Sequence, residues 1–381
     1  MRIRRYLFSV IALVMLFGAV DPARSESLKL IFPTSNRALL DGDGPAFFQY
    51  TDRTFNGVKS RPWQGGQYGF VRNPKETGAG IVYTRFHEGV DIKPMYRDRN
   101  DEPLDTVRAI DEGVVVYTNS NERYSSYGKY VVVEHRWSGS PFYSLYAHLN
   151  TINVRRGQRV RQGDRLGRLG YTGPGINKRR AHLHFEINMM LNEHFGTWFD
   201  RNYRATNRHD LFNGVNLAGI DVPQLYLSLQ RDPSLSIDEF ILSREPFFTM
   251  AVPNEGLPDL MRRYGWLMDE NEYYSTSGRV RSWEIAFTES GVPIRIEPSD
   301  RPVAYAEVTT IRRSNVPYAF LTGGLVDGRR EQFNLGSAGK RYASLLLLAS
   351  DDQTVAQFEI PETIEASYSE SEEPAERLRS W

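Results

Sequence analysis

Two short stretches of this sequence bring metal-binding side chains close together. His87-Glu88-Gly89-Val90-Asp91 sets an imidazole and a carboxylate four residues apart. It fails as a helical zinc motif of the His-Glu-x-x-His kind, because its fifth residue is Asp and Gly89 interrupts any helix. As a loop feeding a strand, the same residues can turn His87 and Asp91 toward one cation. Ala181-His182-Leu183-His184-Phe185-Glu186-Ile187 alternates polar and apolar side chains. In a strand, residues two apart share a face, so His182 and His184 project together while Leu183, Phe185 and Ile187 enter the core. A further histidine, His148, follows the apolar run Phe142-Tyr143-Ser144-Leu145-Tyr146-Ala147. A catalytic zinc site takes three protein ligands and keeps a fourth position for water. One His from a loop, the nearby Asp and one His from a distant strand meet that count, which leaves two histidines for proton transfer. His135, His194 and His209 read as structural or surface residues, and Glu186 shares a face with His184, either orienting it through a hydrogen bond or standing as a plain exposed carboxylate.

Composition narrows the chemistry. The 381 residues contain no cysteine, which excludes disulfides, thiolate metal sites and a cysteine nucleophile. Formal net charge is zero, without the basic footprint of a nucleic-acid binder. Arg2, Arg4 and Arg5 precede a nearly wholly apolar run from Tyr6 to Val20, and Ala23-Arg24-Ser25 supplies small residues at the cleavage positions. Residues 1–25 therefore read as an export signal, the run being short for a membrane span. Cleavage would leave a chain of charge −3 with no further long apolar run. That chain is expected outside the cytoplasm, periplasmic or extracellular, and free of the membrane.

Rigid strands must hold these side chains. Residues 26–75, rich in Gly, Pro and aromatics, read as irregular structure leading into a domain. Residues 76–215 read as a compact antiparallel β-domain. Val114-Val115-Val116-Tyr117, Tyr130-Val131-Val132-Val133-Glu134 and Phe142 to Tyr146 are strand-like, and Gly113, Gly128, Gly139, Gly157 and Gly163 punctuate them. Residues 192–218 are polar and read as the edge of this domain or a linker. Residues 219–358 read as a second, β-rich accessory domain without histidine. Its expected elements are strands at 280–287, 303–308 and 344–349 and one short helix over 257–268. Tyr273, Tyr274 and Trp283 offer rings for sugar stacking or for the core. Residues 359–381 form an acidic tail, with seven Glu between 359 and 376, expected to be disordered.

Residues 85–188 resemble the M23 peptidases, the lysostaphin and LytM-like zinc endopeptidases. The matches fall in order: Phe86-His87-Glu88-Gly89-Val90-Asp91-Ile92, Asp111-Glu112-Gly113-Val114-Val115, Tyr127-Gly128-Lys129-Tyr130, Leu145-Tyr146-Ala147-His148-Leu149, Gly157 to Gly167, Gly170-Tyr171-Thr172-Gly173 and His182-Leu183-His184-Phe185-Glu186. The resemblance implies one zinc ion held by His87, Asp91 and His184, with His148 and His182 as the catalytic pair. It implies an antiparallel β-sandwich of the LytM type and, as substrate, the peptide stems or cross-links of bacterial cell-wall peptidoglycan. Some such proteins have lost metal ligands and act as noncatalytic activators of other wall hydrolases; all five positions are kept here. A zinc endopeptidase acting on proteins is a further alternative. The sequence departs from the family in a longer, more charged segment from Lys93 to Asp105 and in Asn177-Lys178-Arg179-Arg180, whose cations can meet substrate carboxylates or simply form a solvated turn. A blocking ligand from residues 26–75 is another family possibility, with no residue identified for it.

Overall fold

The computed structural model of the chain describes residues 26–269 and 280–348. The expected signal, Tyr273, Tyr274 and the acidic tail lie outside the described residues. The chain enters through extended segments and turns that are anchored by buried Leu28, Phe32 and Leu39. Helix α1 (Gly44–Phe47) is capped by the Asp43 carboxylate, which accepts from Ala46 N–H. A small hairpin follows, β1 (Arg53–Phe55) with β2 (Val58–Ser60). Trp63–Gly66 then makes one 3₁₀ turn. Gly66 must be glycine, because a Cβ there would stand 2.3 Å from the Gln49 carbonyl oxygen. That close approach seats the N-terminal segment directly beside Asp91.

The long hairpin β3 (Gly69–Thr77) and β4 (Gly80–His87) pairs Gly69 with His87. It leads to β5 (Val90–Ile92). β3 runs through residue 75, so the irregular segment merges into the hairpin without a break. The main sheet contains β7 (Gly113–Asn119), β8 (Tyr130–Trp137), β9 (Ser140–Ala147), the short β11 (Arg159–Val160), β13 (Leu183–Met190) and β14 (Leu217–Gly219), in the antiparallel order β11-β7-β8-β9-β13-β14. β5 pairs with the start of β13, placing Asp91 opposite His184. A smaller sheet, β6 (Thr106–Arg108), β10 (Leu149–Ile152) and β12 (Arg165–Leu169), has the order β10-β12-β6. Its Val107, Leu166 and Leu169 share one core with Val131, Val133, Tyr146 and Phe185 of the main sheet. The region is mainly β with antiparallel sheets, as the strand-like runs require. Each strand side chain on the inner face removes apolar surface from water at about 25 cal/mol per Å².

β13 is buried along its whole length. Leu183, Phe185, Ile187 and Met189 face the main core. His184, Glu186 and Asn188 line the opposite face, where Tyr130, Val132, Leu145 and Phe212 form a second cluster. A sheet covered on both sides is what allows a polar ladder of this kind to be fully desolvated.

Helix α2 (Phe195–Asn202) occupies the stretch read as polar edge or linker. Its buried Phe195, Trp198 and Phe199 are spaced i, i+3, i+4, a helical stripe too short to stand out among polar neighbours. Then come α3 (Val222–Arg231) and α4 (Ile237–Leu242), the latter with a Ser236/Glu239 capping box. A four-stranded antiparallel sheet has the order β17-β16-β15-β18, formed by β15 (Phe248–Pro253), β16 (Ser282–Phe287), β17 (Pro293–Ser299) and β18 (Glu307–Ile311). Helix α5 (Asp259–Arg263) ends at Tyr264, and Gly265–Leu267 makes a separate 3₁₀ turn, so the single helix expected over 257–268 is split beside a glycine. The strand expected at 303–308 begins only at Glu307; Tyr305 is exposed and unpaired in the sheet. Helix α6 (Tyr318–Leu321), the hairpin β19 (Val326–Arg329) with β20 (Gln332–Leu335), and helix α7 (Ser337–Leu346) complete the described chain. The strand expected at 344–349 is instead, as far as the described residues go, the last turn of α7 and its continuation to Leu348. The apolar run there is short, and the residues before it, Gly339, Tyr342 and Ala343, extend a helical stripe that buries against its surroundings. Trp283 is a core residue whose indole N–H donates to the Gly256 carbonyl. Buried side chains from Leu28 to Leu348 form one continuous cluster that joins the C-terminal region to the β-domain.

Candidate metal centre

Strand ends converge on one point. His87 closes β4, Asp91 sits in β5, and His184 lies opposite Asp91 in β13. The His87 Nε2, His184 Nδ1 and Asp91 Oδ1 atoms form a triangle with all three edges 3.1 Å. All three side chains are buried. Tetrahedral zinc bonded at about 2.0–2.1 Å would separate its ligand atoms by about 3.3 Å, so the triangle fits that ion with almost no rearrangement.

The remaining ring nitrogens show which face of each imidazole is free. His87 Nδ1 lies 2.7 Å from the Gln67 carbonyl oxygen, and His184 Nε2 lies 2.6 Å from Glu186 Oε1. Both partners accept, so both rings carry their proton there and turn a lone pair inward. Glu186 is itself fixed by an N–H from Asn188 at 2.8 Å. Glu88 and Glu186 also cluster with His184, through the nitrogen that Glu186 engages, which makes that grouping an orienting shell around the ring rather than a rival centre.

Two lone pairs 3.1 Å apart repel unless a positive charge lies between them. Without a metal ion, a proton fills that role. Burial pushes the His184 pKa down, but hydrogen bonds to Asp91 and Glu186 outweigh it and raise it to about 10. Burial and the Arg72 guanidinium push the His87 pKa down. Asp91 is held well below the usual carboxylate range: burial opposes ionisation, yet His182, His87 and Arg72 prevail. A divalent cation would take the place of the proton on His184, and the donor set of two imidazoles and one carboxylate suits zinc.

The other two histidines stand beside this triangle. His148 and His182 have ring centroids 4.7 Å apart, and His148 lies 5.7 Å from His184. His182 Nδ1 faces the Arg180 carbonyl oxygen at 2.7 Å and His148 Nδ1 faces that of Thr172 at 2.9 Å. His148 thereby keeps Nε2 for the cavity, whereas His182 Nε2 faces Asp91 Oδ1 at 3.3 Å. His148 joins β9 to β10 with φ of +59°, a left-handed conformation that few non-glycine residues adopt. It is held there by hydrogen bonds from its own N–H to Tyr127 O and from its ring to Thr172 O. Burial, with His182 and His184 nearby, holds its pKa well down.

Several contributors left no mark in the sequence. Arg72 donates to Asp91 Oδ2 at 2.7 Å, leaving Oδ1 for the histidines. Gln49 bridges the two ligand strands: its N–H donates to Asp91 O at 2.8 Å and its side chain to Ala181 O at 2.9 Å. The Tyr127 ring packs 5.6 Å from that of His184. Among the cations of the 178–180 turn, Lys178 is paired with Glu102 at 2.7 Å and Arg179 is exposed. His135 lies between the Glu112 carbonyl and Ser144, His209 bonds Tyr130, and His194 precedes α2 without a side-chain capping bond, all apart from the centre. The centre opens on a cavity of about 980 Å³ that His148 and His182 also line.

Comparison with known proteins gives relatives for the residues that hold the centre. Residues 85–195 match the model of peptidase family M23. Over 76 residues the chain is 41% identical to peptidoglycan DD-endopeptidase ShyA of Vibrio cholerae, covering 20% of this chain and 16% of that protein. It is 36% identical over 76 residues to cell division protein DipM of Caulobacter vibrioides, covering 20% and 11%. It is 37% identical over 81 residues to a lipoprotein NlpD/LppB homolog of Pseudomonas aeruginosa, covering 21% and 24%. The chain thus spans less than a quarter of each of these relatives. Among solved structures it resembles the catalytic domain of lysostaphin from Staphylococcus simulans, at 28% identity and a TM-score of 0.23 over 32% of this chain and 76% of that one. Residues 85–195, which hold the centre, are thus similar to peptidase family M23. No helix among the described residues is long and apolar enough to cross a membrane.

Proposed function

We propose that this protein is an exported, zinc-dependent endopeptidase that hydrolyses peptide bonds in the peptide part of bacterial cell-wall peptidoglycan. Catalysis resides in residues 76–215, and residues 219–358 act as an accessory unit. His87, Asp91 and His184 hold one zinc ion. The observation that carries this reading is the 3.1 Å triangle of inward-facing ligand atoms, opening on a cavity with two further histidines. When bound, zinc supplies a Lewis acid that polarises a carbonyl and brings the pKa of water to about 7.

The chain's own residues do the rest. Asp91 and Glu186 fix the His184 ring from both sides, and Gln67 O fixes His87. His148 stays neutral because of burial and cationic neighbours, so its free Nε2 takes the proton of the attacking water and returns it to the leaving amine. In its doubly protonated form His182, anchored through Nδ1, donates Nε2–H to the carbonyl oxygen as negative charge develops there. Retention of all five side chains in one buried constellation favours turnover over a purely activating role. The printed name of the Vibrio cholerae relative, a peptidoglycan endopeptidase, supports the substrate class.

The test is to incubate purified protein with intact peptidoglycan, with and without a chelator, and to identify new termini by mass spectrometry. New amino termini that vanish with chelator and return with zinc are expected. Unchanged peptidoglycan in the presence of stoichiometric zinc would leave the activator reading in its place, and cleavage of a protein substrate alone would redirect the assignment.

A further inference from the structure

The cavity at the metal centre reaches well beyond the family-matched residues. Its far wall is helix α7, where Ala338, Arg341, Tyr342 and Leu345 line the space. They fall at i, i+3, i+4 and i+7, one face of the helix. Arg341 is the one charge on that face. It is half-buried and makes no ion pair among the described residues. Its guanidinium lies close enough to Tyr203 to act on that hydroxyl, and Tyr203 lines the same cavity. A cation and a phenol facing one recess form a donor pair suited to a carboxylate.

The helix is fixed relative to the metal ligands. Asn192, two residues past the end of β13, is buried and donates to the carbonyls of Leu345 at 2.9 Å and Leu348 at 3.0 Å. Leu345 lies in the last turn of α7 and Leu348 just beyond it, so Asn192 ties the end of the helix to the residues after β13. Trp198 of α2 donates to Ser344 Oγ at 2.8 Å. The segment that carries His182 and continues as β13 with His184 therefore runs on, two residues past the strand, into the residue that binds the end of α7, one turn from Arg341. The cavity as a whole is also basic: Arg72, Arg85, Arg180 and Arg341 line it against only Glu88 and Asp91. In a chain of zero net charge, that concentration selects for anions.

We infer that Arg341, with Tyr203, binds a free carboxylate of an acidic peptide substrate at a distance from the scissile bond, so that the C-terminal region sets the specificity of the metal site. This rests on the peptidase reading above for its kinetic consequences, though not for the binding itself. A bare solvated arginine at a helix edge is the alternative, and the apolar character of its neighbours on the cavity face disfavours it.

The experiment uses the full zinc-loaded chain, R341Q and R341K. The probes are a peptide-cross-linked muropeptide dimer with free carboxylates and the same dimer with those carboxylates amidated. Binding of both is measured by calorimetry, and kcat and KM wherever cleavage occurs. The native chain is expected to prefer the free acid by about tenfold or more, the range of a charge-assisted hydrogen bond. In R341Q that ratio falls toward one through KM, with zinc content unchanged, and R341K recovers part of it. A native chain that binds both probes equally, or an R341Q variant that keeps the full preference, overturns the inference. Binding preference without cleavage by the native chain would instead count against the proposed function and leave the carboxylate site standing.

Discussion

Gly89 lies between the two ligands of the first motif, and replacing it with alanine tests the metal centre through geometry alone. Its φ is ordinary, so the substitution adds no backbone strain. The added Cβ, however, would stand 2.5 Å from the Phe185 carbonyl oxygen and 2.7 Å from Glu186 Cγ. Ordinary contact begins at 3.4 Å, so the loop must retreat by about 0.9 Å. β13 cannot yield, because Phe185 is paired with Val90 on one side and Tyr146 on the other and is fully buried. His87 and Asp91 ride with the loop, while His184 stays. The 3.1 Å edges to His184 then stretch toward 4 Å, beyond the tolerance of about 0.2 Å on a metal bond. Zinc affinity should fall by about a hundredfold or more, past the range seen when only an orienting partner is lost. Overpacking should cost about 1–3 kcal/mol of stability, which a chain with this core survives. Competition against a chromogenic chelator reads the affinity, and thermal unfolding in excess chelator reads the fold. Gly78→Ala, in the turn of the neighbouring hairpin with open space around it, is the control and should behave as native. A Gly89→Ala protein within threefold of native zinc affinity would refute the argument that this glycine sets the approach of the two ligand strands.

His182 and His184, just before and within β13, should separate by role. His184→Ala is expected to lose both zinc and turnover, whereas His182→Ala should keep stoichiometric zinc and lose about a hundredfold or more in kcat; equal release of metal by both variants would contradict the ligand set. Acid should destabilise the fold through His135. Burial pushes its pKa to about 4 in the folded chain against an ordinary 6.5, so between those values the unfolded chain binds more protons and stability falls as pH falls. The loss from pH 7 to 4.5 is about 2–3 kcal/mol. Urea unfolding of His135→Gln should show a correspondingly flatter pH dependence, and an unchanged slope would exclude this histidine as the cause.

Sequence reading went furthest where chemistry is local. Strand periodicity brought His182 and His184 onto one face, put Leu183, Phe185 and Ile187 into the core, and put Glu186 on the same side as His184, because alternation in a strand is a property of the backbone itself. The absence of cysteine confined any metal site to nitrogen and oxygen donors before any fold was known. Short elements were less legible. Helix α2 and the end of α7 were missed because three or four apolar residues do not distinguish a helix from a strand, and burial against distant partners decides between them. Tertiary structure alone decided that β5 pairs with β13, so that Asp91 and His184, ninety-three residues apart, meet at 3.1 Å. It alone brought Arg72 to Asp91 Oδ2 and Asn192 to the last turn of α7. No spacing rule encodes those contacts, because each depends on where two independently formed elements come to rest against a shared core.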